Sequence, residues 1–380
     1  MNSNAPSIPL SLYVHLPWCE RKCPYCDFNS HEQFDASQES AYIEALLKDL
    51  ELQQDKTDGR PLQSVFIGGG TPSLFSPKAI EQLLSGIASR YPMLEDIEIT
   101  LESNPGSADQ SRFQGYRQAG VTRLSLGVQS FDDAALQALG RVHNGNQARA
   151  ALDAALAVFP RVNADLMHGL PQQSPISAVR DLQQALAQGV EHLSWYQLTI
   201  EPNTTFWSKP PTLPVEDALA DIQEQGESLL ELNGFRRYEI SAWSRNGDNC
   251  RHNLNYWQFG DYIGIGAGAH GKLTQSTGVF RTQRSRIPTD YIANIASQQG
   301  PKTTRVKDDD LAGEFMLNAL RLSEGVSASL FHERTGLSLR VIQTELDRAV
   351  VAGLLIHNSQ HIAPTALGLR FHNDLVARFL

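Results

Sequence analysis

Three of the chain's four cysteines, Cys19, Cys23 and Cys26, fall inside the run CERKCPYCDF. The Cx3CxxC spacing offers three thiolates on one short loop, whereas a structural zinc site takes four ligands, usually in pairs. Iron–sulfur clusters are normally held by four cysteines. Three therefore leave one iron of a 4Fe–4S cube without a protein ligand and open to chemistry. A zinc site completed by His15 or His31 fits the spacing less well. A disulfide is disfavoured because cysteine is sparse and the opening MNSNAPSIPLSLYVHL has no basic segment before its short apolar run, so no export is implied. Pro17, Trp18, Pro24 and Tyr25 around the thiols suit a turn wrapped about something bulky.

Such a loop needs a scaffold. Six strand-like apolar runs lie at 10–16, 64–70, 97–103, 123–129, 162–169 and 192–200, with helical patterns at 41–53, 79–91, 148–159 and 178–189. This alternation predicts an α/β fold with a parallel sheet and crossover helices. Polar residues at the strand C-terminal ends suggest a partial (β/α)6 TIM-type barrel with its site at that end; a doubly wound open sheet is the alternative. The 380 residues divide into a barrel over 1–230, a connecting region over 231–307 and a C-terminal unit over 308–380, with SQQGPKTTRVKDDD (297–310) as a polar linker. A net charge of −10 argues against a general nucleic-acid surface, and no apolar run is long enough to span a bilayer. The expectation is a soluble cytoplasmic protein.

The strand ends carry the remaining candidates. GGGTP (68–72) closes the second run; its glycines let backbone approach a ligand, although a tight turn uses the same composition, and the GK[ST] ending of a Walker loop is missing. Glu102, in ESNPG, closes the third and can accept hydrogen bonds from a ribose diol, or serve as a surface acid. Gln129 closes the fourth, Arg141 follows soon after, and Asp165 lies within the fifth. Several polar groups at one rim favour a polar site. Far downstream, HNLNYW (252–257) groups His252, Asn253, Tyr256 and Trp257. Imidazole ligates haem iron and aromatic rings stack on a macrocycle, while a lone histidine beside aromatics is more often held by hydrogen bonds. Cys250 reads as a small hydrophobe.

Cx3CxxC after a short strand, accompanied by Tyr13, resembles the cluster loop of the radical S-adenosylmethionine (SAM) superfamily. The resemblance implies that SAM chelates the fourth iron and is cleaved reductively to methionine and a 5′-deoxyadenosyl radical. It also favours the six-unit barrel. By the same likeness Gly69, Gly70 and Thr71 contact the amino end of SAM. Tyr13, Tyr25, Gly69, Glu102, Gln129, Arg141 and Asp165 match positions that surround SAM in the family's enzymes acting on coproporphyrinogen. Those oxygen-independent dehydrogenases carry a fourth cysteine two residues after the third, where this chain has Phe28. Phe28 and the HNxxYW form of 252–257 are instead similar to the radical SAM haem chaperones, the HemW-like family. That likeness extends through SWYQLTIEPNT (194–204) and FGDYIGIGAGAHGK (259–272). It implies a haem chaperone that binds a 4Fe–4S cluster, SAM and haem and passes haem to client apoproteins. His252 is then the haem-binding residue, Asn253, Tyr256 and Trp257 shape its site, no residue is assigned a catalytic role, and cluster binding can couple to homodimerisation. Oxidative decarboxylation of a porphyrinogen is the alternative.

The last segment has helical periodicity at 314–322 and 339–355, a β-wing over 354–368 and a final helix over 369–380. It resembles a winged helix. Without strong basic character it suits an interaction or a lid over the barrel mouth better than DNA binding.

Overall fold

The computed structural model describes residues 8–106 and 110–380; residues 1–7 of the opening run read for an export signal lie outside them. β1 (Leu10–Leu16), β2 (Leu62–Gly69), β3 (Met93–Ser103), β4 (Arg123–Gln129), β5 (Arg161–His168) and β6 (His192–Gln197) pair in chain order, every pair parallel. Sequential order without a reversal is that of a barrel wall, not of a doubly wound sheet. The expected six-unit partial barrel is therefore what the chain builds.

The wall stays open and is extended on both sides. β7 (Arg236–Glu239) and β8 (Ala242–Ser244) add antiparallel beyond β6. On the other flank β9 (Asp261–Ile265) pairs parallel with β1, and β10 (His270–Gln275), β11 (Gly278–Gln283) and β12 (Lys302–Arg305) continue antiparallel to make a twelve-stranded sheet. β12 corrects the polar-linker expectation for 297–310. Its four residues are exposed, as an edge strand allows, so apolar patterning could not mark it. Similarly, the sixth strand stops at Gln197, and the final helix breaks at Phe371 into two short pieces.

Crossover helices begin where local chemistry dictates. Ser76 caps the helix Pro77–Ala88 through the Ala79 N–H, and capping boxes at Asn144 and Ser174 open Gly145–Val158 and Pro175–Ala187. Alternation along the strands then separates two faces. Leu12, Val14, Val65, Ile67, Leu124 and Ala164 join the hydrophobic core beneath the helices. Polar residues among those between bond one another: Ser64 Oγ donates to Ser11 Oγ at 2.8 Å, Asn163 Nδ2 to Ser125 Oγ at 2.8 Å and Arg161 Nη1 to Glu98 at 2.6 Å.

Residues beyond 307 pack around Phe315, Phe331 and Leu346 in a second core that Phe259, Val279 and Val306 share. Three helices, Asp308–Ala319, Ala328–Thr335 and Gln343–Val351, pack with a small sheet of β13 (Val326–Ser327), β14 (Leu355–His357) and β15 (His361–Pro364), an arrangement like a winged helix.

Candidate functional site

The loop carrying the thiols leaves β1 at Leu16 and is closed at its neck. His31 N–H donates to Pro17 O at 2.7 Å and Cys19 N–H to His31 O at 2.9 Å. Trp18 anchors that neck in the core against Phe34, Tyr42 and Phe75. Its role is to tether the loop, not to wrap a ligand as the sequence suggested. Gly69 and Gly70 end β2 alongside: Gly70 N–H donates to Leu16 O at 2.8 Å and Thr71 N–H to Trp18 O at 2.7 Å. A Cβ on Gly69, whose φ is +122°, would sit 2.8 Å from the His15 ring, and one on Gly70 would strike the Trp18 carbonyl. These glycines are required by the cysteine loop's close approach, in addition to any ligand.

Cys19, Cys23 and Cys26 line a cleft of about 420 Å³ at the C-terminal ends of the strands, together with Tyr25, Gly69, Gly70, Thr71, Glu102, Gln129, Arg141 and Asp165. One cavity thus gathers eleven of the sequence candidates. Tyr13 is not on its wall; the Tyr13 hydroxyl lies 2.9 Å from His15 Nδ1, and His15 Nε2 is 2.8 Å from Asn29 O. His15 is thereby engaged on both nitrogens, and His31 Nε2 lies 3.2 Å from Arg286 O. Among the described residues, no three His, Cys, Asp or Glu side chains converge tightly enough for a single metal ion.

Burial pushes the Cys19 and Cys26 thiols above their ordinary range, opposed at Cys19 by the Thr71 hydroxyl and at Cys26 by the Phe28 N–H. Phe28 itself is 60 % exposed at the cleft. Across the cleft, the Tyr196 hydroxyl donates to Gln129 Oε1 at 2.8 Å, and Gln129 holds φ at +65°, a conformation costing about 1 kcal/mol. Asp165 accepts from Ser125 Oγ at 3.0 Å and Asn163 Nδ2 at 2.8 Å, yet burial still raises its carboxyl.

Glu102 is pushed up to about 8 by burial first and by Asp165 second, while the Gly69 N–H opposes the shift. An unfolded chain releases that proton near ~4.3. The native state therefore retains a proton that the unfolded state loses, and stability falls as pH rises from the unfolded value through about 8. Glu102→Gln removes this loss and can still accept from Gly69. It is expected to melt above the parent at pH 9, by a margin that shrinks towards pH 5. Equal margins at both pH values in thermal melts would contradict the buried, protonated carboxyl.

HNLNYW lies elsewhere. The helix Arg251–Trp257 plugs the opposite end of the barrel, at the strand starts. His252 is 1 % exposed. Its Nδ1 is 2.9 Å from Ser64 Oγ and its Nε2 is 3.0 Å from the Tyr256 hydroxyl, with Phe66 and Tyr13 rings alongside. Burial lowers it to about 3, so the ring is neutral. Tyr256 also meets Tyr262 edge-on, and Arg321 stacks on Trp257. Asn253 shares this helix. The C-terminal unit docks at this end, through Ile240 N–H to Arg321 O and Ser323 N–H to Tyr238 O. None of residues 308–380 lines the cleft, which corrects the expectation of a lid over the mouth.

Sequence reasoning missed Asn104, two residues beyond Glu102. Its amide lies between Thr71 and Arg141 on the cleft wall. No spacing rule identifies such an amide; only its place beside the ESN turn hinted at it.

Residues 13–185 match the radical SAM superfamily and residues 306–371 the HemN C-terminal domain. The chain is 46% identical over 378 residues to the haem chaperone HemW of Haemophilus influenzae and 47% identical over 376 residues to that of Escherichia coli, each covering 98% of both chains. A mouse mitochondrial radical S-adenosyl methionine domain-containing protein 1 is 42% identical over 329 residues, 83% of this chain and 74% of that one. Among solved structures, coproporphyrinogen III oxidase (HemN) of Escherichia coli superposes with a TM-score of 0.83 at 21% identity, covering 99% of this chain and 91% of the other.

Proposed function

The chain belongs to the radical SAM superfamily and, within it, to the HemW family, and we propose that it is a haem chaperone, holding a 4Fe–4S cluster and SAM in the cleft and handing haem to client apoproteins. The observation that carries this reading is the end-to-end identity with HemW proteins. Phe28, standing where the dehydrogenases have their fourth cysteine, supports it over porphyrinogen decarboxylation.

Cys19, Cys23 and Cys26 hold the cluster, and the donor set fits: three soft thiols, partly buried, on one wall. Cluster and SAM together supply one-electron chemistry when bound. The chain's own residues orient and enclose. Gly69, Gly70 and Thr71 present backbone and hydroxyl beside the thiols; Glu102, Gln129 and Asp165 offer acceptors to a polar nucleoside; Tyr25 and Arg141 close the side towards Cys23. Tyr13 braces the wall from within the lumen through His15. Haem takes His252 as its ligand, with Asn253, Tyr256 and Trp257 around it, once the plug helix has shifted. No helix among the described residues is long and apolar enough to cross a membrane. We place the work in the cytoplasm, with client haem proteins and a cluster-linked homodimer as partners.

The test is a haem titration of the anaerobically reconstituted protein and of His252→Gln, followed by absorbance. Glutamine can keep bonds to Ser64 and Tyr256 while removing the imidazole. Stoichiometric binding by the parent, lost in the variant, is expected. Binding by neither would reject the chaperone reading and make porphyrinogen turnover with SAM the next assay.

A further inference from the structure

The helix that carries His252 is fastened at its first turn by an ion pair. Helix Arg251–Trp257 begins at Cys250, whose side chain caps none of the first N–H groups. Glu98, on β3, does so from outside: its Oε1 accepts from the His252 N–H at 3.2 Å and from Cys250 Sγ at 3.5 Å. A carboxylate there also suits the positive end of the helix. Its Oε2 accepts from Arg161 Nη1 at 2.6 Å. Arg161, on β5, spreads its other donors over the approach to the helix, Nε to the Asp248 carboxylate and Nη2 to Asn249 O at 2.9 Å. One half of the pair thus grips the first turn, and the other grips the two residues before Cys250. Bonds elsewhere on the helix join neutral groups and are individually weaker: Ser64 to His252, Gln63 Nε2 to Asn255 Oδ1 at 2.8 Å and Asn255 Nδ2 to Asp261 O at 2.9 Å. The other ion pair of the first turn, Arg251 with Asp96, is exposed and contributes little. Glu98 is buried, so salt screens its pair far less.

We propose that Glu98 and Arg161 are positioning residues for haem binding: their ion pair latches the plug helix closed, with His252 turned onto Ser64 and Tyr256, and its release frees the imidazole for iron. Neither side chain bonds the ring; both act through the backbone of the helix and of the turn before it. Neither lines the cleft that gathers the cysteines. A molecule held closed cannot take iron, so the latch lowers apparent haem affinity. This inference deepens the chaperone reading and rests on His252 as the haem ligand.

The experiment pairs hydrogen–deuterium exchange of the apoprotein with a haem titration of the anaerobically reconstituted protein, for the parent and Glu98→Gln. Glutamine still accepts from the His252 N–H, but its amide turns a donor towards the guanidinium and breaks the pair, while Arg161 keeps Asp248. Exchange within the helix Arg251–Trp257 is expected to quicken about tenfold, the difference between a charged and a neutral bond, with β1 to β6 still protected. Haem is expected to bind about tenfold more tightly. A merely structural loss would loosen sheet and helix together and would not tighten binding. Should circular dichroism show Glu98→Gln unfolded, Arg161→Lys takes its place with the same expected directions, since lysine keeps the charge at a partly exposed site but cannot span all three partners. In a folded variant, helix exchange equal to the parent's, or haem affinity at or below the parent's, would overturn the latch. A parent that binds no haem would overturn the haem reading instead, and exchange within the helix would still decide the latch.

Discussion

Cys19→Ala is expected to abolish cluster assembly while leaving the thermal melt of the apoprotein within a degree or so of the parent's. A cube already short of one protein ligand has no spare thiolate to lose. The neck of the loop is closed by backbone bonds that alanine retains, Cys19 N–H to His31 O and His31 N–H to Pro17 O. Its anchor in the core is Trp18, not the cysteine. Cys19 is only partly buried, so the substitution leaves little cavity. Iron and sulfide analysis after anaerobic reconstitution, beside circular dichroism of the apoprotein, measures both halves. Parent-level iron in the variant would remove Cys19 from the ligand set.

His252→Ala is expected to have the opposite signature: a folding penalty of about 4 kcal/mol, whatever it does to haem. Deleting a buried side chain costs ~2–5 kcal/mol. Leaving a buried partner unsatisfied adds about 1–3 kcal/mol, and Tyr256 would lose its bond to Nε2. Ser64 fares better, since it keeps Ser11 at 2.8 Å. The shift in urea midpoint, followed by tryptophan fluorescence, reports this. A midpoint equal to the parent's would mean that the plug helix contributes nothing to holding the lumen closed.

These two substitutions mark where the sequence was transparent and where it was not. Cysteine chemistry depends on spacing along one loop, so Cys19, Cys23 and Cys26 were legible as a unit. β1 to β6 were legible because each buries an apolar face under helices. Their polar positions predicted a polar rim, but not that Ser11 and Ser64, or Ser125 and Asn163, would bond between neighbouring strands on the lumen face. Such bonds join residues 38 to 188 positions apart, as with Asn163 to Ser125 and Ser64 to His252. The same reason hid the plug: HNLNYW could be read as chemistry, whereas its burial follows from partners on β1 and β2. β12 escaped because an exposed edge strand needs no apolar pattern; the alternation of glycine and apolar residues over 260–271 implied a strand or turn at β9, but not its parallel pairing with β1, about 250 residues upstream. Asn104 was illegible because its value lies wholly in what it touches.

The sealed position of His252 also sets a tempo. On the proposed role of His252 as haem ligand, an imidazole with both nitrogens engaged and 1 % exposure would meet an incoming macrocycle only after the helix Arg251–Trp257 had moved aside. On that proposal loading would be a gated step, its rate rising with haem at first and levelling off at the frequency of opening. The same seal taxes apparent affinity by the open fraction, so a client that favours the closed form would speed release as it docks.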